Sequence, residues 1–79
     1  MTLWDEITAE AQRAQSRYGN YTSSHEALGV LIEEVDELRA AIHTNQIRAI
    51  RGEAIQIAAV TLRLALACDD AEFRERSQK

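Results

Sequence analysis

The chain has 79 residues, a formal net charge of −4, 46% hydrophobic and 28% charged residues, no proline, three glycines and one cysteine. That length holds one domain at most. The composition excludes collagenous, low-complexity and disulfide-stapled classes, since Cys68 has no partner for an internal bridge.

The only lysine is Lys79 and there is no basic run, so the chain lacks the charge a nucleic-acid polymer demands; phosphate neutralisation supplies most of that affinity. The opening MTLWDEITAE is acidic and polar, unlike a secretory leader. The longest apolar stretch, residues 54–68, has 12 hydrophobic residues in 15 and is broken by Gln56 and Arg63. It falls short of the roughly 20 residues that span a membrane. A cytoplasmic setting without membrane contact is the expectation. One core in so short a chain leaves little net stability, so self-association is expected to add to it.

The pattern predicts an all-α fold, with a first helix over residues 3–18. Thr2 can cap it, Asp5 and Glu6 suit its positive end, and Leu3, Ile7, Ala11 and Ala14 recur at helical spacing. Gly19-Asn20 ends it, as residues that tolerate the left-handed conformation do. A second helix covers residues 24–43. Ser23 and Glu26 are spaced as a capping box, and Leu28, Leu31, Ile32, Val35, Leu38 and Ile42 form an apolar stripe. Thr44-Asn45-Gln46 is a polar break. A third helix covers residues 47–68, with Gly52 inside it. Its later part is apolar nearly all round, and the expectation is that a second subunit covers it. Asp69-Asp70 can cap a short last helix through Phe73, with residues 74–79 frayed. Core packing is expected of Trp4, Tyr18, Tyr21, Phe73 and Cys68, with stacking on a ligand's ring as the alternative for Trp4 or Tyr21.

The second helix carries the informative residues. Five acids, Glu26, Glu33, Glu34, Asp36 and Glu37, fall between positions 26 and 37. An amphipathic helix ordinarily keeps such acids in water. Here no Lys or Arg follows Glu33 or Glu34 at i+4, so the face repels itself, a crowding that a divalent cation would relieve. On the third helix Glu53, Gln56 and Arg63 share one stripe of an otherwise apolar surface. Glu53 near the helix start can simply be solvated. Alternatively, Glu53 and Gln56 pack across from Glu34 and Glu37, and two helices each supply an i, i+3 pair of oxygen ligands.

Glu33-Glu34-x-x-Glu37, a spacer of fifteen residues, and Glu53-x-x-Gln56 resemble the E-E-x-x-E … E-x-x-D signature of the MazG-type all-α nucleotide pyrophosphohydrolases. His25-Glu26-Ala27, Glu37-Leu38 and the run from Glu53 to Ala59 are similar to its compact single-domain branch, over roughly residues 3–68. The resemblance implies antiparallel helical hairpins in a four-helix-bundle-type homodimer or dimer of dimers. It implies cleavage of a (deoxy)nucleoside triphosphate to the monophosphate and pyrophosphate, as in nucleotide housecleaning. The implied cofactor is Mg²⁺, with Mn²⁺ as a substitute. By motif position Glu34, Glu37 and Glu53 are metal ligands, Gln56 takes the fourth place, and Glu33 stands beside the metal as ligand or water-orienting base. Arg48, Arg51 and Arg63 are candidates for holding substrate phosphates, or else lie in solvent or ion pairs. Gln56 departs from the family's aspartate: an amide oxygen still ligates Mg²⁺ but brings no charge, so weaker metal affinity is expected. The alternatives are a non-catalytic module on the same fold, sensing a nucleotide or binding a protein, and an assembly domain whose acids are only a solvated face.

Overall fold

The structure, a computed structural model, describes residues 1–78; Lys79 lies outside the described residues. Four helices and no strand make up the described residues: α1 (Leu3–Tyr18), α2 (Ser24–His43), α3 (Ile47–Ala67) and α4 (Ala71–Ser77). None of them is long and apolar enough to cross a membrane.

Side-chain caps set three of the four starts. Thr2 Oγ1 accepts from the Asp5 N–H at 3.1 Å, and the Asp5 carboxylate accepts from the Thr2 N–H at 2.9 Å, a complete capping box. Ser23 Oγ accepts from the Glu26 N–H at 3.3 Å, but the return half goes elsewhere. The Glu26 carboxylate accepts from the N–H and the hydroxyl of Thr22, one residue earlier. Asp70 caps α4 through the Phe73 N–H at 2.9 Å. This last helix continues to Ser77 instead of fraying after Phe73, because Ser77 Oγ accepts the Ser24 N–H at 2.8 Å and so pins the final turn to the start of α2.

Gly19 ends α1 at φ 75°, ψ −167°, a conformation outside the left-handed helical region and open to glycine almost alone. Asn45, at φ 54°, makes the tight turn into α3. The three residues 44–46 fold α2 and α3 into an antiparallel hairpin. Glu6 pairs with Arg51 and Gln15 reaches Arg63, so α1 runs in the same direction as α3. The central element is therefore α3, with α1 and α2 on either side of it, and α4 returns against α2. The molecule measures 41 × 28 × 18 Å. A helix with its side chains is about 10–12 Å across, so the bundle is less than two helices thick.

The core is correspondingly small. Tyr21, Ala27, Val60 and Phe73 form its centre, packed by Val30, Leu31, Leu64 and Ala67. Among the described residues no large side chain is fully buried. Within residues 54–68, Ala59, Val60 and Arg63 are buried, and Leu66 is the one large apolar side chain left exposed. Two expectations change here. An uncovered apolar face lies on α2, where Leu28, Ile32, Val35 and Ile42 look outward while Leu31 and Leu38 are partly covered. Trp4, Tyr18 and Cys68 are exposed instead of packed, since α1 has no neighbour on its outer side and Cys68 lies just past the end of α3.

Candidate metal centre and adjoining cleft

One turn of α2 separates Glu34 from Glu37, and Glu53 faces them from α3. The structure brings an oxygen of each of the three carboxylates within 4.8 Å of the others. Two full charges at that distance repel by roughly 3 kcal/mol at an effective dielectric constant of about 20. Oε2 of Glu34 and Oε2 of Glu53 are also sealed from water and accept no hydrogen bond. Burial, followed by the charges of Glu37 and Glu53, raises the Glu34 carboxyl to about 7. Burial, followed by Glu37, likewise pushes Glu53 above the usual carboxylate range. Without a cation the cluster therefore holds a proton near neutral pH, and a cation would displace it.

The donor set fits a hard cation. It is all oxygen, it carries up to three negative charges, and two of its oxygens lack any partner in the fold. Mg²⁺, Mn²⁺ and Ca²⁺ suit such ligands, whereas Zn²⁺ favours nitrogen and sulfur.

The other candidate residues lie around this cluster in different ways. Gln56 is one turn beyond Glu53 and stands against α1, where it adds to the effect of Arg13 in holding the Glu10 carboxyl below its usual range. Glu33 is exposed. Both line, with Glu34, an open cleft of about 560 Å³ between α1, α2 and α3. Arg13, Tyr18, Tyr21 and Arg63 line it as well. That volume is within the range of small-molecule sites.

The arginines divide clearly. Arg48 is exposed on the first turn of α3. Arg51 makes two bonds to the Glu6 carboxylate, at 2.9 and 2.6 Å, and so joins α3 to α1. Arg63 is the one charged residue classed as buried among the described residues. Its Nε donates to Gln15 Oε1 at 3.3 Å, Nη1 to the Tyr21 hydroxyl at 3.2 Å and Nη2 to the Gly19 carbonyl at 2.9 Å. Its guanidinium lies 4.3 Å from the Tyr21 ring centroid, a cation–π contact. Arg63 thus ties α3 to the end of α1 and to the loop that follows.

Sequence reasoning missed this tie and the places of Tyr18 and Glu10. The signal for the tie was present: a lone charge inside an apolar helix must find internal partners, and the glycine that ends α1 offers a free carbonyl. No signal marks Glu10, which pairs within α1 with Arg13. No family model matches the chain, and no curated protein or solved structure matches it significantly.

Proposed function

We propose that the chain is a Mg²⁺-dependent nucleoside triphosphate pyrophosphohydrolase of the MazG-like type. One observation carries the reading: three carboxylates from two helices converge with two oxygens unpartnered, beside a cleft lined by acids, arginines and two tyrosines. Glu34, Glu37 and Glu53 would hold the cation, and Gln56 could add an uncharged oxygen. When bound, the cation would neutralise triphosphate charge and favour ionisation of water. Glu33, at the cleft edge, would orient the attacking water and take its proton. A bond then forms from the water oxygen to the α-phosphorus, the α–β bridging bond breaks, and pyrophosphate leaves. Tyr18 or Tyr21 offers the nucleobase a stacking surface. Arg63 faces the cleft with a guanidinium already fixed by three partners, and Arg48 is free to reach the outer phosphates. The reading includes a homodimer or dimer of dimers in the cytoplasm, and nucleotide housecleaning as the role.

The test is pyrophosphate release from the common NTPs and dNTPs with Mg²⁺ or Mn²⁺. Turnover is expected for at least one, and Glu37→Ala should abolish it without loss of helix content. No turnover by folded, metal-loaded protein overturns the enzyme reading. Gln56 in place of a charged ligand favours a second one, a module that binds a nucleotide without cleaving it. Its mark would be Mg²⁺-dependent nucleotide binding with the nucleotide recovered intact.

A further inference from the structure

We propose that the cavity between α1, the end of α3 and α4 is a binding site for a small organic monocarboxylate, with Arg63 as its anion anchor. The inference goes beyond the proposed hydrolase and does not rest on it, since none of the three clustered carboxylates lines this cavity. The cavity has a volume of about 400 Å³ and shares only Tyr21 and Arg63 with the cleft beside the metal centre.

Its walls suit the apolar part of a ligand. Ala11, Tyr21 and Phe73 line it and are only 5–7% exposed. Ala67 and Leu66 continue the apolar wall from α3. Leu66 is 61% exposed, the large apolar side chain of the later part of α3 that the fold leaves uncovered. A ligand seated in the cavity would give it a neighbour.

Arg63 supplies the charge. A guanidinium has five N–H donors. Three are used here, on Gln15, Tyr21 and Gly19, and all three acceptors are neutral. One N–H is left on each Nη. The Tyr21 hydroxyl accepts from Nη1 and donates to no group among the described residues. No carboxylate among the described residues pairs with Arg63. The chain therefore buries a cation, 8% exposed, with surplus donors around it and no counter-ion. An unpaired buried charge is costly. A ligand carboxylate would offset it through the strong, short bonds that a guanidinium makes to carboxylates.

The remaining charges narrow the ligand class. Arg76 pairs with Glu72, and the Asp70 carboxylate accepts the Phe73 N–H at 2.9 Å. Arg63 is thus the one charged group of the cavity without an ionic or capping partner. It calls for a single negative charge. A dianionic phosphate would meet the acids Asp70 and Glu72 in the same cavity, so a monocarboxylate on an apolar body fits best.

The probe is 3-phenylpropionate, titrated into ¹⁵N-labelled protein and followed by proton–nitrogen NMR spectra. EDTA is present, so failure of the metal reading cannot affect the outcome. Saturable shifts are expected in the amides of Ala11, Gln12, Ala67 and Phe73 and in the Arg63 Nε–H. The dissociation constant should lie below about 1 mM, within reach of so small a ligand. The uncharged 3-phenylpropanamide should bind at least about tenfold more weakly, as loss of a charged hydrogen-bond partner implies. Gln12→Glu, which adds an acid to the cavity at an exposed position, should also weaken binding of the carboxylate. Arg63→Met should abolish the preference for carboxylate over amide, and the amide comparison on the unaltered chain decides the matter if that variant does not fold. No saturation by about 10 mM, tenfold above the expected constant, overturns the proposal. So does equal affinity for the amide, or a set of shifts centred on Ala14, Val30 and Glu33 of the neighbouring cleft.

Discussion

Replacing Glu34 with glutamine should change stability in opposite directions with and without a divalent cation. In metal-free protein the ionised Glu34 carboxylate has lost water on one oxygen and stands beside Glu37 and Glu53, which raises its pKa to about 7. Raising a carboxyl from 4.5 to about 7 disfavours its charged form by at most about 3 kcal/mol. Water still reaches part of the side chain, so about 1–2 kcal/mol is a fair figure for the folded protein at pH 8. Glutamine removes that charge, and its amide can donate to the two neighbouring carboxylates. Glu34→Gln in EDTA should therefore melt about 4–16 °C higher than the parent, given the 4–8 °C per kcal/mol typical of domains near this size. Excess Mg²⁺ should reverse the order. At about a hundred times its dissociation constant a bound ion adds about 2.7 kcal/mol to the parent, and the variant should lose most of that. Differential scanning fluorimetry in EDTA and in Mg²⁺ measures both effects. A variant less stable than the parent in EDTA, or one stabilised by Mg²⁺ as strongly as the parent, would refute the reasoning.

Other outcomes follow from the same geometry. In EDTA the unfolded chain releases the Glu34 proton near 4.5 and the folded chain keeps it to about 7, so stability should fall as pH rises across that interval and level off above it; urea midpoints from pH 4.5 to 8 report the slope. Because the cation displaces that proton, Mg²⁺ affinity measured by calorimetry should tighten by up to about tenfold per pH unit between pH 5.5 and 7, and a flat profile would remove Glu34 from the ligand set. Gln56→Asp should tighten Mg²⁺ binding by adding a charge, and equal or weaker affinity would place Gln56 outside the ligands. Arg63→Met, which keeps the apolar stem and deletes the three hydrogen bonds, should cost about 2–4 kcal/mol in chemical denaturation. Arg51→Met, at an exposed pair, should cost less than about 1 kcal/mol.

Some of this architecture can be read directly from residues. Helix limits are legible where local chemistry decides them: Thr2 with Asp5, Gly19, Asn45 and Asp70 each act within four residues of themselves. The pairing of Glu34 and Glu37 with Glu53 is legible because one acid in an apolar helix and two acids a turn apart form a conspicuous pattern. Which side of α2 turns inward is not legible. Its apolar residues cover more than half of its circumference, so both Leu31 and Val35 are plausible inward positions, and only the placement of α3 and α4 chooses between them. The capping at Ser23 shows the same limit on a smaller scale, because Glu26 finds a better pair of donors on Thr22. Arg63 is legible as a lone charge that needs internal partners, but which partners it finds is not, because they lie 42 to 48 residues away.

The central position of α3 has a consequence for how the molecule comes into being. Neither α1 nor α2 packs extensively on the other, and both lean on a helix that leaves the ribosome after them. Until α3 is made, the first half of the chain is two helices with no common core, an exposed Leu28–Ile42 stripe and a pair of acids with nothing opposite them. Arrival of α3 then supplies three things in one step: the wall that buries Ala27, the guanidinium that fastens the loop at Gly19, and the third carboxylate. Folding and assembly of the candidate site should accordingly be a single event, with no intermediate that holds a formed site on a partly folded chain.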